Sequence, residues 1–267
     1  MTPLIRRALP FALLPLIAAS AACDLMTAGM RSEATAQWHK SYQIGANGRV
    51  EIDNTNGKIQ VEPSTGNTVD VVAIKKAHGA DDAAAKAALD QITIAENASP
   101  SSIKIETKLP SGGGLHMFGG GSLQVEYHVK VPVSVELHVT NTNGAIDVTG
   151  VEGGVFAETT NGGIDARSVA GKIDAETTNG GVDVDLARLA DAGVTLGCTN
   201  GGVSLRLPKD AKATISARVT NGGIDTNNLQ IDASAENTRR RFEGRMNGGG
   251  AKVDLETTNG GVSISVK

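Results

Sequence analysis

From Val139 to the C-terminus, apolar and polar residues alternate in short runs that break at a recurring corner. Ahead of each corner the apolar or small positions are Val155, Ala157 and Thr159; Ile173, Ala175 and Thr177; Val194, Leu196 and Cys198; and Ile215, Ala217 and Val219. Behind it they are Ile164 and Ala166, Val182 and Val184, Val203 and Leu205, and Ile224 and Thr226. A period of two belongs to a strand with one buried face, so these side chains point into a core and the intervening Glu, Asp, Ser and Lys point to water. The corner reads Thr160-Asn161-Gly162-Gly163 and returns at Thr178, Thr199, Thr220 and Thr258, with looser versions at Asn54-Thr55-Asn56-Gly57-Lys58 and Asn141-Thr142-Asn143-Gly144-Ala145. Its spacing is 18 residues from Asn143 to Asn161 and from Asn161 to Asn179, then 21 to Asn200 and 21 to Asn221, and 38 to Asn259, an interval with room for one irregular coil. Such regularity marks a repeat architecture.

Each unit is two short strands joined by Thr-Asn-Gly-Gly. It is too small to bury a core alone, but stacked units share one. The pattern predicts an all-β fold, a parallel β-solenoid or β-helix-like stack, in which equivalent positions form rows and each corner Asn bonds to the Asn of the next coil. Asn-Gly between strands is also the strongest hairpin signal. A series of antiparallel hairpins satisfies the same parity but gives no reason for one residue type to recur along a row, which favours the solenoid.

Between Trp38 and Val139 the alternation is less regular. Residues 50–53, 58–61, 68–74, 91–95, 102–107 and 123–139 are expected strands, the last interrupted by Pro132 and carrying Val125, Tyr127, Val129, Val131, Val133, Val135, Leu137 and Val139 on one parity. Asp81-Asp82 ahead of an alanine run to Leu89 predicts one short helix near residues 81–90. The expected organisation is a single β-repeat domain over residues 38–267, irregular over 38–139 and regular over 140–267.

The first residues belong to a different kind of segment. Arg6 and Arg7, an apolar run over residues 8–19 broken by Pro10 and Pro15, and the small Ser20-Ala21-Ala22 read as an export signal over residues 1–22. The run is too short and too proline-broken for a good membrane helix. The small residues before Cys23 resemble the lipobox of bacterial lipoproteins, which makes Cys23 the candidate lipidation site and residues 23–37 a polar tether. Ser20 stands where such a motif usually has Leu, so ordinary cleavage and secretion remain the alternative. Asp24 resembles a signal for retention at the inner membrane.

Composition supports thin, stacked strands: aromatics are 3% of the 267 residues and Gly numbers 33. Without residues 1–22, which hold Arg6 and Arg7, Lys+Arg falls from 25 to 23 against 29 Asp+Glu, a net charge of −6. That balance speaks against a nucleic-acid partner. Only Cys198 accompanies Cys23, so no disulfide framework is expected.

The irregular strands through Val131-Pro132, the Asn-Gly repeats and the late Asn247-Gly248-Gly249-Gly250 resemble the bacterial DUF4097 family over roughly residues 40–267. This is a family of adhesin-like proteins with β-strand repeats. The resemblance implies an extracytoplasmic or envelope-associated domain and carries over no catalytic residues.

Candidate chemistry is sparse. Asp147, Asp165, Asp183 and Asp225 fall in one outward row, whose carboxylates, about 4.8 Å apart, a cation would relieve. Asn161-Gly162-Gly163-Ile164-Asp165 approaches the calcium-binding Gly-Gly-x-Gly-x-Asp repeat but lacks its second glycine spacing, and Ser204 interrupts the row. A solvated polar face is the simpler reading, and neither metal nor cofactor is assigned. Leu115, Met117 and Phe118, between two glycine arms, form a candidate tip for membrane or partner contact, or a loop folded over the end of the core. Arg239, Arg240 and Arg241, with Arg245 nearby, are candidate contacts to phospholipid head groups or anionic glycans. Cys198 takes an inward position and reads as a buried thiol, the five His show no metal-ligand spacing, and no Ser, His and Asp arrangement stands out.

The leading expectation is a non-enzymatic lipoprotein held in the bacterial cell envelope, facing the periplasm or exterior and offering an adhesin-like surface for binding or scaffolding. Its partners would be the membrane, through the lipid anchor, and an envelope protein or glycan. One alternative is a polysaccharide-active β-helix enzyme, against which stand the few aromatics for sugar stacking and the lack of a convergent acid–base cluster. The other is a regulatory partner in envelope-stress sensing.

Overall fold

The computed structural model describes residues 32–110, 122–226 and 229–267, and of 233–236 only the backbone. The irregular half supplies β1 (Ser32–Gln43), β2 (Arg49–Asn56), β3 (Ile59–Pro63), β4 (Thr68–Gly79), the helix α1 (Asp82–Leu89), β5 (Thr93–Ser99), β6 (Ser102–Lys108) and β7 (Leu123–Val131). The repeats supply β8 (Glu136–Asn143), β9 (Ile146–Thr149), β10 (Val155–Asn161), β11 (Ile164–Val169), β12 (Ile173–Asn179), β13 (Val182–Leu186), β14 (Val194–Asn200) and β15 (Val203–Leu207). The remainder forms β16 (Ala213–Asn221), β17 (Ile224–Asp225), β18 (Ala233–Asn237), β19 (Arg241–Met246), β20 (Ala251–Asn259) and β21 (Val262–Val266).

Each Asn-Gly corner sends one strand into each of two sheets. The first sheet runs β1-β4-β7-β3-β9-β11-β13-β15-β21-β17 and the second β18-β19-β16-β20-β14-β12-β10-β8-β2-β6-β5. Between coils the pairing is parallel and equivalent positions align, so that Ala157 lies beside Ala175, Thr159 beside Thr177 and Asn161 beside Asn179. This is the solenoid stack; antiparallel pairing is confined to the ends, at β1–β4–β7, β5–β6 and β16–β19–β18. The inward residues read from parity fill the space between the sheets: Val155, Ile173, Ala175, Val184, Leu205 and Ile215 are all buried. Val133 departs from that parity and is 46% exposed, because the Val135 N–H turns back onto the Pro132 carbonyl and takes the segment out of the strand. The helix forms where expected. Asp81 caps it by accepting the Ala84 N–H at 2.7 Å, and Ala85, Ala88 and Leu89 are buried, with β4 and β1 as its neighbours.

Two expectations change. Residues 32–37, read as tether, form the first half of β1, which pairs with β4 from Ser32 beside Gly79 to Gln43 beside Thr68. As an edge strand covered on one side only, β1 half-buries Ala34, Trp38 and Tyr42 and leaves most other positions to water, so its sequence shows no clean alternation. The residues between Asn221 and Asn259 do not make an irregular coil; they leave the stack, form the antiparallel β18–β19 pair against β16, and return. The last coil therefore lies inside the stack, with β20 between β14 and β16 and β21 between β15 and β17. The same displacement occurs at the other end, where β2 and β3 sit between β6 or β7 and β8 or β9.

Candidate functional site

Each corner carries up to two glycines, and they do different work. The first is demanded by the fold: Gly180 has φ +153°, and a Cβ there would overlap the Gly162 carbonyl oxygen of the coil beneath. The carbonyl of this first glycine serves the next coil. Thr159 Oγ1 donates to Gly144 O at 3.2 Å, Thr177 Oγ1 to Gly162 O at 2.9 Å, Cys198 Sγ to Gly180 O at 3.0 Å and Thr257 Oγ1 to Gly201 O at 2.9 Å. Burial raises the Cys198 thiol above its ordinary value, as befits an inert core residue.

The corner Asn residues complete the seam. Each donates Nδ2 to the Oδ1 of its neighbour, from Asn143 to Asn56 at 2.7 Å, Asn161 to Asn143 at 2.8 Å, and Asn179 to Asn161, Asn200 to Asn179, Asn259 to Asn200 and Asn221 to Asn259 at 2.9 Å. The amides all point one way, which lets each bond polarise the next.

The second glycine is another matter. At Gly163, Gly181, Gly202 and Gly261 the backbone is outside the left-handed region, and an added Cβ would come no closer than 3.4, 3.5, 3.5 and 3.4 Å to the nearest atom, ordinary contact. At Gly223 the nearest atoms belong to Arg239, 3.8 Å away. The first two coils place Lys58 and Ala145 at this position. Glycine is therefore not required by the stack. Five coils nonetheless carry it, and the missing side chains leave a groove of about 610 Å³ along the outer face of the first sheet. Its floor is glycine backbone, and its wall is the in-register row Asp147, Asp165, Asp183, Ser204, Ser263 and Asp225.

Charge along that wall is partly compensated. Lys58 pairs with Asp147 and Arg167 with Asp165. Burial raises the Asp165 carboxyl above the ordinary aspartate value; the Arg167 guanidinium opposes the shift, and the Asp183 and Asp147 charges assist it. Among the described residues, no group of three or more His, Cys, Asp or Glu is placed to hold a metal ion.

The outer face of the second sheet is more charged. Thr142, Thr160, Thr178, Thr199, Thr258 and Thr220 form an exposed row, beside Glu158, Glu176 and Glu256. Gly197 interrupts the glutamates and opens a smaller groove of about 450 Å³. His138 stacks on Phe156 with ring centres 4.3 Å apart, and Lys172 lies 5.0 Å over the Phe156 ring. The Phe156 ring is thus engaged by both side chains.

Of the residues singled out from sequence, Asp147, Asp165, Asp183 and Asp225 share one wall, and Arg239, Arg240 and Arg241 lie in and after the turn from β18 to β19, with Arg241 beside Arg218. Arg239 comes near the groove floor at Gly223. Cys23, Leu115, Met117 and Phe118 lie outside the described residues. Sequence reading took Gly-Gly as one unit and missed the division of labour; Lys58 and Ala145 at the second position were the available signal.

The model of the family described as Toastrack DUF4097 matches residues 39–265. No protein of curated function matches the chain. The crystal structure of a "putative cell adhesion protein" from Clostridium sporogenes ATCC 15579 covers 88% of this chain and 100% of its own, at 13% identity and a TM-score of 0.48. That of a "putative adhesin" from Bacteroides fragilis NCTC 9343 covers 87% and 97%, at 10% identity and a TM-score of 0.38. Likenesses this distant say nothing of a ligand. No helix among the described residues is long and apolar enough to cross a membrane.

Proposed function

The chain belongs to the Toastrack DUF4097 family, and on that premise we propose that it is a non-enzymatic binding or scaffolding surface of the bacterial cell envelope. The observation that carries this reading is the row of second glycines, kept bare over five coils although the backbone accepts a side chain there. A floor of exposed peptide groups beside carboxylates and hydroxyls suits an elongated envelope component, glycan or protein, laid along the stack axis. Anchoring would run through an acylated Cys23, with Arg239, Arg240 and Arg241 adding contacts to anionic groups at the β18–β19 end of the stack.

The test is co-sedimentation of the purified chain with an isolated envelope fraction, scored with an assay for released sugar ends. Retention without new reducing or unsaturated ends is the expected result. Release of such ends would replace this reading with the polysaccharide-active enzyme, and no retention would remove the binding role. For the anchor, intact mass and fractionation should show acyl chains and membrane recovery in the wild type, both lost in Cys23→Ala.

A further inference from the structure

The inward row beside the corner holds the buried polar side chains Thr107, Asn54, Asn141, Thr159, Thr177 and Thr257. In the later coils the threonines bring one hydroxyl each, and the preceding glycine carbonyl takes it. Asn54 and Asn141 bring a whole amide to the same place. Their nitrogens are well used. Asn141 Nδ2 donates to Gly57 O at 2.8 Å and Gly144 O at 3.1 Å, and Asn54 Nδ2 to Val125 O at 3.0 Å and Gly57 O at 3.4 Å. Their oxygens are not: Oδ1 of both residues is buried without a partner, in side chains belonging to residues only 6% and 2% exposed. Native chains rarely leave a buried acceptor in that condition.

The two orphan oxygens belong together. Asn54 and Asn141 are register partners on β2 and β8, and neighbouring strands lie about 4.8 Å apart. One small group making two hydrogen bonds of about 2.8 Å spans that gap. It must offer two hydrogens, and two neutral amide oxygens are too few ligands for a hard cation.

We propose that a water molecule is bound inside the solenoid between Asn54 and Asn141, donating one hydrogen to each Oδ1. These two bonds fall within the two to four that a buried water makes. The site lies where β2 meets β8, at the displaced coil, and from Thr159 onward the same row needs no water.

Two measurements on the full chain decide it. Oxygen-17 relaxation dispersion counts long-lived internal waters, and the double variant Asn54→Thr, Asn141→Thr, which gives these coils the side chain of the later ones, should lose one molecule. An unchanged count in a variant with native circular dichroism would overturn the proposal. Should the variant not fold, a high-resolution wild-type map decides: density within hydrogen-bond reach of both Oδ1 atoms supports the site, and an empty or apolar-filled gap refutes it.

Discussion

Replacing Gly180 and Gly181 separately by Ala separates fold from function at adjacent residues. Gly180 has φ +153°, and its Cβ would be driven into the Gly162 carbonyl oxygen, a backbone atom that cannot swing aside. The coils on either side are pinned, with Gly162 N–H on Asn179 O at 2.9 Å and Gly180 N–H on Asn200 O at 3.0 Å. Relief requires a strained backbone, about 1–3 kcal/mol, and the loss of one or two corner hydrogen bonds at about 0.5–1.5 kcal/mol each. Gly180→Ala should therefore cost roughly 2–6 kcal/mol, a large share of the total stability of an ordinary domain. Gly181→Ala meets its first atom, Gly202 O, at 3.5 Å in a permitted backbone region. It should be neutral or stabilise by about 0.4–1 kcal/mol, through reduced freedom of the unfolded chain. Urea midpoints followed by far-UV circular dichroism measure both, with the slope checked because stacked repeats can lose two-state behaviour. Equal shifts for the two variants would refute the division of labour between the glycines.

Asn179→Ala removes two rungs of the amide ladder, to Asn161 and from Asn200, and should cost roughly 1–2 kcal/mol by urea midpoint, about twice the loss from Asn221→Ala, which removes only its bond to Asn259. Cys198 should resist a thiol reagent until the chain unfolds, and Cys198→Thr should stay within about 1 kcal/mol of wild type, since Thr257 fills the register position beside it and bonds the same way. The Glu136 carboxyl is held below its ordinary value of 4.5, first by the hydrogen bond from His138 and then by Arg49. Its folded form binds fewer protons than the unfolded one, so the contribution is complete above 4.5 and is lost as pH falls through the lower folded value. Melting temperatures between about pH 5 and pH 3 should therefore fall less steeply in Glu136→Gln than in wild type, and identical slopes would contradict the assignment.

Much of this architecture is legible in the chain because a solenoid repeats its constraints. The parity around each corner places Val155, Ile173 and Val194 in one buried row, and the recurring Asn has a reason only if coils stack in register. What could not be read is the order of coils. Every coil offers its neighbours the same edges, so nothing local tells β20 to enter beside β14; the long excursion between Asn221 and Asn259 allows it, and Phe242, buried beside Ala217, holds the excursion against β16. Edge strand β1 was hidden for the opposite reason, since one-sided burial of Trp38 and Tyr42 leaves too little alternation to see. The groove was half visible. The Asp row stood out as chemistry, whereas the glycine floor looked like turn chemistry until the backbone showed that one glycine of each pair is dispensable.

The binding claim is tested most directly by filling the groove with a side chain the fold already accepts. Lys58 occupies the second-glycine position in its own coil and pairs with Asp147 across the row, so Gly181→Lys with Gly202→Lys should leave the urea midpoint near wild type. A control pair, Thr178→Lys with Thr199→Lys, adds the same charge to the exposed face of the second sheet. Retention on an isolated envelope fraction should fall at least tenfold for the groove pair and stay near wild type for the control, a loss of about 1.4 kcal/mol or more in binding. Equal retention by both folded variants would contradict the account and return the bare glycines to the status of an unexplained feature of the turn.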